Sequence, residues 1–263
     1  MMRPLFSRRE NLSPIASVSD LVPVAVTVRD ARLTYGGIPV FQDLDLRLAA
    51  GRWTCLLGPS GVGKTTLLRL IAGLSPAEPP TLIRADDGLP LDGRMAYMAQ
   101  QDLLLPWLSV LDNAVLGDQL RHGTVNAARR ERARTLLTAV GLGDRLGDRP
   151  DALSGGMRQR VALVRTLIED RPLVLMDEPF SALDAVTRLR LQGLARHLLN
   201  GRTVLLVTHD PLEALRLGDA VHVLAGEPAR LSPPIVPPGA PPRDPSNPVL
   251  LALQADLLQR LAE

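Results

Sequence analysis

From Val24 to Tyr35 apolar and polar residues alternate, the pattern of a strand with one buried face. Gly36-Gly37 supplies a turn, and Val40, Leu44, Leu46 and Leu48 carry the alternation on to Ala50-Gly51, so the two segments are expected to pair as a hairpin. Trp53 to Leu57 is different, a short continuous apolar run that reads as a buried strand. Similar runs recur at Arg94–Ala99, Leu173–Met176, Arg202–Thr208 and Val221–Leu224. Between them lie helical patterns at about Lys64–Ala72, Val110–Gly141, Ser154–Glu169 and Thr187–Leu199. Strands alternating with helices predict an α/β fold. Pro76–Leu91 is polar and Pro-rich and reads as a surface connection. Pro228 to Pro248 holds nine of the 23 prolines, which predicts a stiff extended connector, followed by an amphipathic helix from Val249 to Ala262.

Composition narrows the classes. At 263 residues and 46% apolar the chain supports a sizeable core, and with only 3% aromatics that core must be aliphatic. A net charge of +2 gives no global bias toward nucleic acid. The Arg129, Arg130, Arg132 and Arg134 cluster reads as a solvated helix face. Cys55, the one cysteine, lies in an apolar run and reads as a packed core thiol. No apolar run approaches a membrane span. Residues 1–22 lack the apolar segment of a secretion signal and read as a mobile extension, so a cytoplasmic location is expected.

The candidate chemistry centres on Gly58-Pro59-Ser60-Gly61-Val62-Gly63-Lys64-Thr65, with the spacing G-x-x-x-x-G-K-[ST] of a loop that cradles nucleotide phosphates. Glycines let the backbone curl around an anion, Lys64 would reach the β- and γ-phosphates, and the Thr65 hydroxyl would ligate Mg²⁺. Lys64 is the only lysine; every other cationic side chain apart from histidine is arginine. Ser154-Gly155-Gly156 opens a second helix with an N-cap and exposed backbone donors, another anion site. Asp177 ends an apolar strand, as the Mg²⁺-holding acid of such proteins does, and Glu178 follows it. Gln100 ends a strand, and of the four histidines only His209 directly follows an apolar strand. Tyr35 is a candidate to stack on an adenine face.

Leu153-Ser154-Gly155-Gly156-Met157-Arg158-Gln159 together with the phosphate loop resembles the ATP-binding subunits of ABC transporters, with every motif in order from Val24 to Ala225. The resemblance implies a RecA-like P-loop NTPase core at residues 23–227, with an antiparallel β subdomain and an α-helical signature subdomain at about 102–165, followed by the connector and helix at 228–263. It implies ATP and Mg²⁺ as ligands. Tyr35 resembles the adenine-stacking aromatic, and Gly58 to Thr65, with Thr66, the phosphate loop. Gln100 resembles the glutamine that touches Mg²⁺ and senses the membrane subunit, although Gln101 stands one residue away. Ser154, Gly155 and Gly156 resemble the signature that grips ATP held by the other subunit. Asp177 resembles the Mg²⁺ carboxylate, Glu178 the group that polarises water, Asp184 the interface aspartate, and His209 the switch histidine. Glu178, His209, Gln100 and Lys64 are thus the expected catalytic groups, and Thr65, Gln100 and Asp177 the metal ligands.

The implied partners are a second ATP-binding subunit, an identical copy being expected, and integral membrane permease subunits. A solute-binding protein would act indirectly, with no nucleic acid involved, at the cytoplasmic face of the inner membrane. Leu104 to Val110 and Asp112-Asn113 resemble the nitrate, sulfonate, taurine and thiamine-precursor importers. Gln100–Leu111 and Thr208–Gly218 are most similar to subunits importing hydroxymethylpyrimidine, which is the expected solute; a nitrate, sulfonate or taurine importer is the alternative. A soluble ABC-type ATPase of DNA repair or translation would carry a coiled-coil insertion, zinc-binding cysteines or a second phosphate loop, and the sequence has none of them.

Overall fold

The computed structural model describes residues 21–262. The expectation of a mobile extension at 1–22 lies outside these, apart from Leu21 and Val22, which are exposed.

Strands β1 (Val26–Tyr35) and β2 (Ile38–Leu48) pair antiparallel, with Val26 opposite Leu48. Their alternating residues, Val26, Val28, Ala31 and Leu33 with Phe41, Leu44, Leu46 and Leu48, are buried. The sheet has a third strand, β4 (Leu82–Ala85), on the other edge of β1. Pro76–Leu91 is therefore not merely a surface connection. Four residues with one buried side chain, Ala85, are too short a run to show a period.

The second sheet has the order β5-β6-β7-β3-β8-β9. Its members are β3 (Trp53–Leu57), β5 (Met95–Met98), β6 (Leu173–Asp177), β7 (Thr203–Thr208), β8 (Ala220–Ala225) and β9 (Arg230–Leu231). The first five in spatial order run parallel, and β9 joins antiparallel. Strands β3, β6 and β7 are buried on both faces and divide two cores by strict alternation. Cys55, Leu57, Val174, Met176, Val204 and Leu206 face one core. Leu56, Leu173, Leu175, Leu205 and Val207 face the other, with the antiparallel sheet and helix α1 (Lys64–Ile71). Each fully buried aliphatic side chain contributes roughly 1.5–3 kcal/mol of hydrophobic stabilisation. Cys55 is fully buried, and burial pushes its thiol well above the ordinary range, which suits packing rather than redox chemistry.

The helical run expected from Val110 to Gly141 is three helices, α2 (Val110–Ala114), α3 (Leu116–His122) and α4 (Ala127–Ala139). Gly123 closes α3 in the left-handed conformation, and Asn126 caps α4 by accepting from the Arg129 amide at 2.8 Å. Helix α5 (Gly155–Ile168) packs on α2 and α4, and α6 (Ala185–Leu198) precedes β7. Helix α7 (Pro211–Leu217) was not expected. Asp210 caps it, accepting from Leu212 and Glu213 amides, and Pro211 takes the first helical position.

The Pro-rich segment is packed rather than a free connector. Val221 and Ile235 exchange both backbone bonds at 2.8 Å. Arg243 is buried and donates to the carbonyls of Leu215, Gly218, Pro237 and Pro238 at 2.8–2.9 Å. Prolines lack a backbone donor but keep the acceptor, and one guanidinium gathers two of them with the end of α7. Helix α8 (Pro248–Ala262) then lies against α7, with Leu250 and Leu257 fully buried.

Candidate active site

Parallel pairing brings four strand ends to one edge. Leu57 lies opposite Thr208, Asp177 opposite Val207, and Met98 opposite Met176. The residues that follow, Gly58, His209, Glu178 and Gln100, therefore emerge together, at the carboxyl edge where ligands bind in open α/β sheets.

The phosphate loop leaves β3 tightly. A Cβ at Gly58 would stand 2.4 Å from the Leu224 carbonyl oxygen, so no side chain fits there. Gly63, at φ 108°, turns the chain into α1. Lys64 folds back under the loop, and its ammonium donates to the Gly58 and Pro59 carbonyls at 2.8 Å each. It is 6% exposed. Burial lowers its pKa, and Glu178 and Asp177 act in the opposite sense. Tyr35, Val40, Ser60, Gly61, Gly63, Lys64, Thr65, Thr66, Gln100 and Glu178 together line a cavity of about 300 Å³. Gln100 lines it and Gln101 does not. Tyr35 is 58% exposed on the rim.

Beneath the cavity Asp177 is 1% exposed, and neither carboxylate oxygen has a hydrogen-bond partner of good geometry. Burial pushes its pKa up; the nearby Thr65 hydroxyl and Lys64 pull against this, while Glu178 adds to it. Glu178 occupies the left-handed region at φ 47°, a strained place for a side chain of this size. Its amide donates to Val207 at 2.9 Å, and its Oε1 stands 3.1 Å from His209 Nδ1. The pair is thus held between the ends of β6 and β7.

Other expected site residues lie apart from this cavity. Ser154 caps α5, accepting from the Met157 amide at 3.3 Å. Gly156 lies against the loop after Glu178, where a Cβ would be 3.1 Å from the Ala182 carbonyl. Asp184 caps α6, accepting from the Thr187 amide at 3.0 Å, and that bond holds its carboxyl below the ordinary range. None of Ser154, Gly155, Gly156 or Asp184 lines the cavity with Lys64.

The family model for ABC transporters matches residues 41–181, more than half of the chain. The chain belongs to the ABC transporter family. Its ATPase activity is therefore coupled to transport. An ABC transporter ATP-binding protein of Haemophilus influenzae is 43% identical, over 90% of this chain and 98% of that protein. An aliphatic sulfonates import ATP-binding protein of Rhodococcus jostii is 47% identical, over 79% of each, and one of Yersinia pestis is 41% identical, over 90% of this chain and 85% of its own. A dimeric bacterial ABC transporter cassette superposes with a TM-score of 0.72 at 27% identity, covering 82% of this chain and all of that one. A related structure holds ADP and phosphate in a post-hydrolysis state, with a TM-score of 0.70 at 27% identity and the same coverage. The expectation of a hydroxymethylpyrimidine importer finds no support among these relatives; the sulfonate alternative does.

In this ABC subunit the groups that brace the site were assigned no such role from the sequence, although Arg158 and Asn113 lie in its family-like stretches. Arg165 donates to the carbonyls of Asp102 and Leu103, and Arg158 pairs with Asp102 at 3.0 Å. They fix the segment after Gln100 from α5. Asn113 both accepts from Leu105 and donates to its carbonyl, which holds the next turn and leaves Trp107 65% exposed. Arg158 and Arg165 act across 56 to 63 residues, which no local pattern marks, whereas Asn113 reaches back only eight. Asp210, which starts a helix immediately after His209, did carry a signal in the Asp-Pro pair.

Proposed function

We propose that the chain is the ATP-hydrolysing subunit of an importer, working as a dimer of ATP-binding subunits beneath a membrane permease. One observation carries this reading. The cavity holds the phosphate loop, Gln100 and Glu178, while the Ser154–Gly156 helix end is displayed outside it. An ATP bound in the cavity would then be completed by the Ser154–Gly156 end of a second subunit, as the likeness to dimeric cassettes supports.

In the proposed mechanism the phosphate-loop amides and Lys64 bind the triphosphate. Glu178 accepts a hydrogen bond from the attacking water and aligns it, and His209, with Nδ1 3.1 Å from Glu178 Oε1, steadies the carboxylate. Loss of one such group typically raises a barrier by ~3–4 kcal/mol. Mg²⁺ fits the donor set: Asp177 offers two buried, unpartnered oxygens beside the Thr65 hydroxyl. Among the described residues no three His, Cys, Asp or Glu side chains gather into a metal site, so the ion would rely on Thr65, Gln100, Asp177 and phosphate oxygens. When bound, Mg²⁺ would neutralise charge on the phosphates.

The solute class we propose is the sulfonate group of importers, on the strength of relatives at 40–47% identity. Leu103 and Trp107, exposed on a braced turn, are proposed to meet the permease. Among the described residues no helix is long and apolar enough to cross a membrane, so the subunit would dock peripherally, at the cytoplasmic face of the inner membrane. The test is purification with a candidate permease, followed by ATPase and uptake assays with aliphatic sulfonates and with hydroxymethylpyrimidine. Sulfonate-dependent uptake lost on Lys64→Ala supports the reading. ATPase stimulated by DNA or ribosomes instead, with no permease bound, would overturn it in favour of a soluble repair or translation ATPase.

A further inference from the structure

Glu178 holds a strained backbone, so something must hold Glu178. Its amide is fixed by Val207. Its carbonyl accepts from the Ser181 hydroxyl at 3.0 Å and the Ser181 amide at 3.3 Å. A third donor comes from a different element. Gln159, about one and a half turns into α5 from Ser154 and 4% exposed, points its amide Nε2 at the carbonyls of Glu178 and Pro179, at 3.5 and 3.3 Å. Its neighbour Gly156 presses the same helix against Ala182, three residues after Pro179. The first turns of α5 thus grip the loop that carries the water-polarising carboxylate.

We propose that Gln159 is a positioning residue that ties the Ser154–Gly156 helix end to Glu178 of the same chain. The proposal rests on the reading of Glu178 and of Ser154–Gly156 given above. Its consequence is directional. Each helix end that grips ATP on the partner is fastened, through one amide, to the carboxylate that serves its own ATP. Movement of α5 on contact with the partner's nucleotide shifts the Glu178 carbonyl and with it the side chain. The two cavities of a dimer are therefore coupled through Gln159, without any contact between Gln159 and a nucleotide.

The test uses the full chain. Gln159→Leu removes the donor at similar volume; Gln159→Glu keeps the shape and replaces the donor with an acceptor facing two carbonyls. Both are expected to lower kcat about tenfold or more, with KM for ATP within about twofold; both also lower the melting temperature, the Glu variant more, because it sets a buried carboxylate against two carbonyls. Combined with Glu178→Gln, either variant should still form an ATP-dependent dimer in size-exclusion chromatography, because the gripping surface is intact. A kcat within about twofold of the parent in the Leu variant would overturn the proposal, as would loss of dimerisation together with activity. A parent chain whose ATP hydrolysis is unaffected by Glu178→Gln alone would instead remove the assignment of Glu178, and this proposal with it.

Discussion

The two ends of the parallel sheet are built on opposite terms. At the carboxyl edge Asp177 is buried without partners, Glu178 is strained, and the Lys64 pKa is lowered by burial. At the amino edge the charges are matched. Asp219 accepts from the Trp53 amide at 2.7 Å and pairs with Arg196 at 3.0 Å. Arg196 also lies over the Trp53 ring at 5.1 Å, and Arg202 pairs with Asp170. Arg243 satisfies four carbonyls. The Trp53 indole N–H is the exception, buried and unpartnered. One end holds the fold together, and the other keeps polar groups poised for a ligand at some loss of stability.

Substitutions at the two ends should separate activity from stability. The largest effect is expected from Glu178→Gln, which should slow ATP hydrolysis by about 10²–10³-fold while leaving the melting temperature near the parent's. Single-turnover hydrolysis and calorimetry on the same preparation check both halves. Next comes Arg243→Ala, which strands buried carbonyls and should destabilise the fold by about 3 kcal/mol in urea titration. If it lowered activity with no change in the midpoint, the contrast between the ends would fail.

Asp177→Asn is expected to act in the opposite direction. Removing a buried, unpartnered charge should stabilise the nucleotide-free protein by ~1 kcal/mol while abolishing Mg²⁺-dependent hydrolysis. A lower melting temperature would show that the carboxylate is satisfied in the folded state after all. The smallest effect is expected at Glu213 on α7. Burial raises its pKa above the ordinary 4.5, opposed by the Thr208 hydroxyl and by Gln192, whose amide donates at 2.8 Å. A carboxyl with a raised folded-state pKa stabilises the fold below about pH 4.5, and that contribution is lost as pH climbs through the higher folded value. Glu213→Gln should therefore gain stability over the parent from acid toward neutral pH. A gap constant with pH would remove Glu213 as its source.

Much of this was legible in the chain itself. The apolar runs of β3, β6 and β7 announce strands buried on both faces, and their carboxyl ends carry Gly58, Glu178 and His209. What escaped was set by tertiary contact. Strand β4 has too few residues for a period and exists because β1 has a free edge. The breaks in the Val110–Gly141 run lie at Val115 and Gly123, and only the second is a residue that signals a stop. The Pro-rich segment suggested extension, which is correct locally, but Arg243 and Ile235 anchor it in ways no proline count reveals. Gln159 closes the Leu153–Gln159 stretch in the sequence with no role of its own; only the fold sets it against the Glu178 carbonyl.

The single lysine has a practical consequence in chemical labelling. The α-amino group aside, the chain has one primary amine, and it sits at the floor of the phosphate loop. Burial lowers the Lys64 pKa and enlarges its nucleophilic fraction. Beyond the α-amino group, an amine-directed acylating reagent thus reads one side-chain site, without the background that surface lysines give, and the extent to which ATP shields it reports occupancy. The same bareness leaves arginine-directed reagents to survey the rest of the surface independently.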